Sequence, residues 1–383
     1  MSKRQFYLII IYLSVLLALI GPASNVFPLG PIKDLRFLSP VLLIPFFFIK
    51  NGPDKATVNN FFKALFLLFF VVAIYTIVVT FLFMDSGLTY RNFVNLVLLF
   101  TPLIFVWGIF KFGTKNLIDR LVLFFFYAFT VLYAVELAKG GVSLGAFLQV
   151  FQANLVTDSY FDTESGISLV MGFYFLFFLH KKKRNYAIAA ALITILGAKR
   201  VAILGILICT FFYYFFPMKK ISKSRKFYGY LFLAVGTLLG IIWDGIITGS
   251  FNEFIEGLTG VSANRFFMGR LNRFQLVFSE TTEMPVYGLG LGLGYLENIL
   301  YYQVGFASAF HGDFYRMYLE FGPLLFSIWL YITGKYASIN KLALTATLLL
   351  IILLQTDNAL LYNRVMFSYY FVMAYAIYGD KEG

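Results

Sequence analysis

The chain has 383 residues, 60% of them hydrophobic and only 13% charged, with a mean hydropathy of +0.80 and a formal net charge of +12. That balance excludes an ordinary soluble globular protein, in which about 25% of residues are charged. The single cysteine, Cys209, lies in an apolar run and excludes both a disulfide framework and a thiolate metal site within one chain.

Taken in order, apolar runs occur at roughly 6–21, 35–49, 61–84, 92–110, 117–137, 166–179, 186–197, 201–216, 227–247, 314–334, 341–355 and 359–378. Their length and spacing predict an all-α polytopic membrane protein with about twelve transmembrane helices, a single transmembrane domain over residues 1–383. The first run, preceded by Lys3 and Arg4, begins like a signal peptide. It lacks a small-residue cleavage pattern and is followed by further spans, so it reads as an uncleaved anchor.

With the amino terminus in the cytoplasm, alternate connections carry Lys50 and Lys55, Lys111 and Lys115, Lys181 to Arg184, Lys219 to Lys226, and Lys335 with Lys341. Most of the 31 Lys and Arg residues therefore fall on one side, which predicts both termini in the cytoplasm by the positive-inside rule. The basic charge is then explained by topology and by attraction to anionic lipid of the bilayer, and no nucleic acid is needed as a partner.

Two outer connections are long. Residues 138–165 contain DSYFDTE, whose Asp158, Asp162 and Glu164 read either as a hard-cation site or as a solvated acidic loop. Residues 248–313 form the larger loop, between the ninth and tenth spans.

Between two cytoplasmic basic clusters lies YAIAAALITILGAKRVAILGILICTFFYYFF, with Lys199 and Arg200 near its middle. Both flanks on one side require two crossings. As a helix its length is only about 46 Å, less than two spans of roughly 30 Å. The turn at Gly197 is therefore predicted to be recessed, with Lys199 and Arg200 lining an outward-open cavity or else snorkelling to lipid headgroups.

Within the larger outer connection, residues 264–283 read as an amphipathic helix. Phe266, Phe267, Leu271, Phe274 and Phe278 supply its apolar side, and Arg265, Arg270 and Arg273 can converge on one polyanion or touch lipid phosphates. The alternating glycines Gly288, Gly290, Gly292 and Gly294 do not match a dinucleotide fingerprint. They suit either a flexible connector or an extended segment closely approached by another backbone or a ligand. In SAFHGDFYRMYLEFGPLLF, His311 precedes Asp313, Arg316 and Glu320, spaced by three and four residues so that the charges share a helical face and can pair. His311 is either a general base or an ordinary interfacial histidine.

These segments, GAKRVAILG, GRLNRFQLVFSETTEMPVYGLGLG and HGDFYRMYLEFGPLL, resemble the O-antigen polymerase and O-antigen ligase superfamily over about residues 160–335. Lys199 stands where that family commonly has serine, and Gly312 where asparagine often follows the histidine. The resemblance implies a fold like that of the membrane-embedded C-type glycosyltransferases, in the bacterial inner membrane with a periplasmic active site. It implies undecaprenyl-pyrophosphate-linked oligosaccharides as donor and acceptor, no metal or other cofactor, and a chain-length regulator and a flippase as partners.

On that pattern Arg200 and Arg270 grip the pyrophosphate. Lys199, Arg265 and Arg273 assist, His311 deprotonates the acceptor hydroxyl, and Asp313, Arg316 and Glu320 belong to the substrate-binding set. The abundance of Phe (48) and Tyr (26) favours, within the resemblance, a repeat-unit polymerase over a ligase acting on lipid A-core. From a different class, a flippase of the same glycolipids would use the recessed basic pair to bind without chemistry.

Overall fold

The computed structural model describes residues 3–24, 26–48, 55–83, 89–139, 165–197, 199–216, 225–266, 271–304 and 312–379. Among these, every regular element is helical. In apolar surroundings each backbone N–H and C=O must be bonded internally, and a helix does this without a partner strand.

The α-helices are α1 (Lys3–Ser24), α2 (Leu38–Val41), α3 (Ala56–Phe83), α4 (Tyr90–Phe112), α5 (Lys115–Lys139), α6 (Ile167–His180), α7 (Arg184–Leu196), α8 (Arg200–Phe215) and α9 (Arg225–Ile247). They continue with α10 (Asn252–Thr259), α11 (Ala263–Phe266), α12 (Leu271–Thr281), α13 (Tyr295–Val304), α14 (Asp313–Ala337), α15 (Lys341–Leu354) and α16 (Asn363–Gly379). Five of them, α1, α3, α4, α5 and α9, are long and apolar enough to cross a membrane.

The predicted span at 35–49 departs from a regular helix. The run at 35–49 falls within a 3-10 helix at Gly30–Phe37, the four-residue α2 and a second 3-10 turn at Ile44–Phe48. Pro40 and Pro45 explain this, since each lacks an N–H and biases the residue before it away from helix.

The chain divides into two compact units. The first comprises Met1–Asn59, Thr101–Phe216 and Asn363–Gly383; the second comprises Asn60–Phe100 and Pro217–Tyr362.

In the first unit the buried helices are α6 and α16. Phe173 meets Tyr369 and Phe177 meets Tyr375, with ring centroids 6.0 and 4.9 Å apart. Around them α5, α7 and α8 present exposed Val131, Ile188, Leu192, Leu207 and Phe211, the surface expected of helices facing lipid.

One end of this unit is rich in lysine. Lys181 pairs with Asp119 at 3.0 Å and donates to the Tyr375 hydroxyl, and Lys55 donates to the Gly113 carbonyl. At the far ends of α5 and α6, Ser165 donates to Glu136 at 2.7 Å, and its N–H reaches the Gly197 carbonyl. His180, beside the lysine cluster, lies 3.3 Å from the Tyr213 hydroxyl.

In the second unit α9 and α14 run antiparallel in close contact. Their backbones approach through Gly229, Gly236 and Gly334. A Cβ on Gly334 would stand 2.6 Å from the Phe232 side chain and 2.8 Å from the Tyr228 carbonyl. Gly334→Ala is therefore expected to lower stability by about 1–3 kcal/mol, read as a fall in unfolding midpoint in detergent. Asn340 caps α15 by accepting the Ala343 N–H, and α15 is buried along most of its length. Arg225, Lys226, Lys335 and Lys341 lie toward one end of this unit; the candidate site lies toward the other.

Candidate functional site

The helix α14 is broken. Gly322 has φ 76° and ψ 162°, and Pro323 follows it. Pro323 cannot donate to the Leu319 carbonyl, so an unbroken helix would leave that acceptor without its usual partner.

The glycine-rich segment supplies the missing donors. Leu291 N–H bonds the Leu319 carbonyl and Gly292 N–H bonds the Glu320 carbonyl, both at 2.9 Å. The approach requires glycine on both sides. A Cβ on Gly322 would lie 1.9 Å from the Leu289 oxygen, and one on Gly290, at φ 118°, would lie 2.7 Å from the Gly322 nitrogen. Of the two sequence readings for these glycines, close backbone approach is the one realised.

Beside this break sits a buried ionic hub. Arg316 Nη1 lies 3.2 Å from Asp313 Oδ1 and 3.4 Å from Glu297 Oε1, while its Nε lies 3.4 Å from Glu320 Oε2. The side chains of Asp313, Arg316 and Glu320 are fully buried, so the three- and four-residue spacing places them against one another.

Backbone donors complete the arrangement: Leu296 N–H bonds Glu320 Oε1, and Leu360 N–H bonds Asp313 Oδ2 at 2.5 Å. Asn95, on α4, donates to Glu297 Oε2 at 3.0 Å. Polar groups of α3 and α4 extend the network. Asn92 donates to the Leu293 carbonyl and accepts from Asn298, and Leu293 N–H bonds the Thr76 hydroxyl. Buried polar groups satisfied in this way fix one arrangement of the chain.

The predicted site residues fall in different places. Lys199 and Arg200, half-buried and exposed respectively, begin α8 in the first unit, after a break in helix at Gly197. Helices α7 and α8 are about 20 and 24 Å long, each short of a roughly 30 Å hydrocarbon core. Arg265 is exposed on α11 and Arg273 half-buried on α12.

Arg270, Phe267, His311 and the acidic group of Asp158, Asp162 and Glu164 lie outside the described residues. The predicted helix over 264–283 corresponds to α11 and α12, with Leu271 and Phe274 buried as its apolar side.

Two motifs separated in sequence meet here. Gly312, φ 127°, sits against the Phe274 ring, where a Cβ would come within 3.1 Å. Trp243 of α9 packs edge-on to Phe274 at 5.4 Å, stacks near Tyr315, and donates to Gln355. The entrance to α14 is thereby held against the arginine-bearing α12. Nearby, burial holds the Tyr287 phenol above its ordinary range, so it remains a neutral hydrogen-bonding group.

Sequence reasoning missed Glu297, Asn92, Asn95 and Asn298. A signal was present: Asn92 and Asn95 are polar residues three apart on one face of an apolar helix, and Glu297 interrupts the apolar YLENIL. Chemically, the hub is closed to solvent and joins segments of chain.

The helices and this hub define the class, a helical membrane protein with an ionic cluster buried in its second unit. No family model matches the chain, and no curated protein or solved structure does.

Proposed function

We propose that this protein polymerises undecaprenyl-pyrophosphate-linked oligosaccharide repeats at the outer face of a bacterial inner membrane, by metal-independent, inverting glycosyl transfer. The observation that carries the reading is the contact between Gly312 and Phe274. It joins the segment following His311 to the helix following Arg270, the two motifs on which the chemistry depends. The short pair α7 and α8, with Lys199 and Arg200 at its turn, supplies further cations of the kind a pyrophosphate requires. In each unit the lysine- and arginine-rich end is the cytoplasmic one; about twelve crossings with both termini inside complete this topology.

In the reaction, His311 takes the proton of the acceptor hydroxyl as its oxygen attacks the anomeric carbon. The bond from that carbon to the pyrophosphate oxygen breaks, and undecaprenyl pyrophosphate leaves. Arg200 and Arg270, with Lys199, Arg265 and Arg273, stabilise the charge that develops on the leaving group. Asp313, Arg316 and Glu320 hold the entrance to α14 in place.

Purified protein given the lipid-linked repeat is expected to form oligomers with inverted anomeric configuration. Arg200→Ala and Arg270→Ala should each reduce turnover by roughly 100-fold or more. A retained configuration would overturn the single-displacement mechanism.

A second reading, transport of the same glycolipids, is favoured by the broken helix α14, a feature of helices that line transport sites. It predicts movement of the lipid-linked repeat across proteoliposomes with no lengthening of the glycan. A ligase would instead extend lipid A-core.

A further inference from the structure

Glu297, Asp313 and Glu320 surround a single guanidinium, that of Arg316. Were all three ionised, the cluster would carry two uncompensated negative charges in a volume where the side chains are at most 11% exposed. Carboxylates that share one buried site do not all ionise, because each charge raises the cost of the next.

The hydrogen bonds distinguish the three. Both oxygens of Glu297 accept a hydrogen bond, one from Arg316 and one from Asn95. Asp313 and Glu320 each give one oxygen to a backbone N–H, while Asp313 Oδ1 and Glu320 Oε2 are buried without a hydrogen bond. All three acids approach Arg316 at 3.2–3.4 Å, longer than the roughly 2.7–2.9 Å of a charge-assisted bond, so none of them forms a tight ion pair with it. The acids are arranged around the guanidinium, and the described residues include no group of three with the geometry to hold a metal ion.

We propose that this cluster is a proton-binding site, with at least one proton held on Asp313 or Glu320 at neutral pH. The other groups facing it are Asn95 of α4, and Asp357 and Tyr362 in the connection after α15. Asp357 accepts the Asp313 N–H through its carbonyl, and Tyr362 lies within electrostatic reach of Arg316.

Release of the proton restores the uncompensated charge and pushes α13 and the glycine segment away from α14. The stability that the proton contributes is present in full only at acid pH, below the ordinary carboxylate range, and is lost progressively as the pH rises from there through the cluster's deprotonation. The inference stands independently of the glycosyltransferase reading.

The test is the infrared spectrum of the full-length protein in lipid nanodiscs near neutral pH, with hydrogen exchange of the Leu291, Gly292 and Leu296 amides measured as the pH is raised. A carboxylic-acid carbonyl band is expected in the parent, diminished in Glu320→Gln or Asp313→Asn and unchanged in Glu253→Gln, which alters a residue on α10. Exchange at the three amides should accelerate beyond the intrinsic pH effect as the band disappears. Absence of the band from the parent overturns the proposal, as does a band unaltered in both cluster variants. If those variants do not fold, a band in the parent that vanishes without any change in protection at the three amides overturns it.

Discussion

Arg316→Ala is expected to destabilise the second unit by about 3–5 kcal/mol, the cost of leaving buried carboxylates without their cation. The three acid side chains lose the one cation they share, and two of them are the groups by which α14 is tied to Leu296 and Leu360. The expected signature is a large fall in unfolding midpoint in detergent, with poor recovery of folded protein. Arg316→Met combined with Glu297→Gln, Asp313→Asn and Glu320→Gln should recover much of the loss, because it removes the charges together while retaining most of the side-chain volume. A midpoint unchanged in Arg316→Ala would mean that the ion pairs do not hold these segments.

Gly322→Ala should cost about 3 kcal/mol or more. The backbone there lies in a region that residues with a Cβ enter only under strain, and the new Cβ would overlap the Leu289 oxygen. The overlap is with backbone, so no side-chain rotation relieves it. The glycine segment must withdraw instead, breaking the bonds from Leu291 and Gly292 to the Leu319 and Glu320 carbonyls. Gly240→Ala is the control, since a Cβ on that α9 residue meets nothing within 4 Å. Equal unfolding midpoints for the two variants would contradict the close backbone approach.

What could be read from sequence follows from the range of the interactions involved. The long apolar runs are legible because their signal is contained in consecutive residues, and α3, α5 and α9 match them closely. The run at 35–49 shows that hydropathy does not report backbone regularity, which Pro40 and Pro45 interrupt there. The pairing of Asp313, Arg316 and Glu320 is legible because it is local to one helix.

Glu297 was not legible as their partner. It reaches Arg316 only after the chain reverses beyond the glycine segment, and its contact with Asn95 spans 202 positions. The glycines themselves stayed ambiguous in sequence because their partner, the break at Gly322 and Pro323, lies in a stretch that reads as continuous helix.

The most direct test of the proposed polymerase is the glycan ladder of a strain lacking its repeat polymerase, complemented with this protein or its Arg270→Ala variant under matched glycan genes and equal expression. Long chains restored by the parent, with single repeats only from the variant, are the predicted result. A ladder that the parent leaves at single repeats would contradict the polymerase assignment.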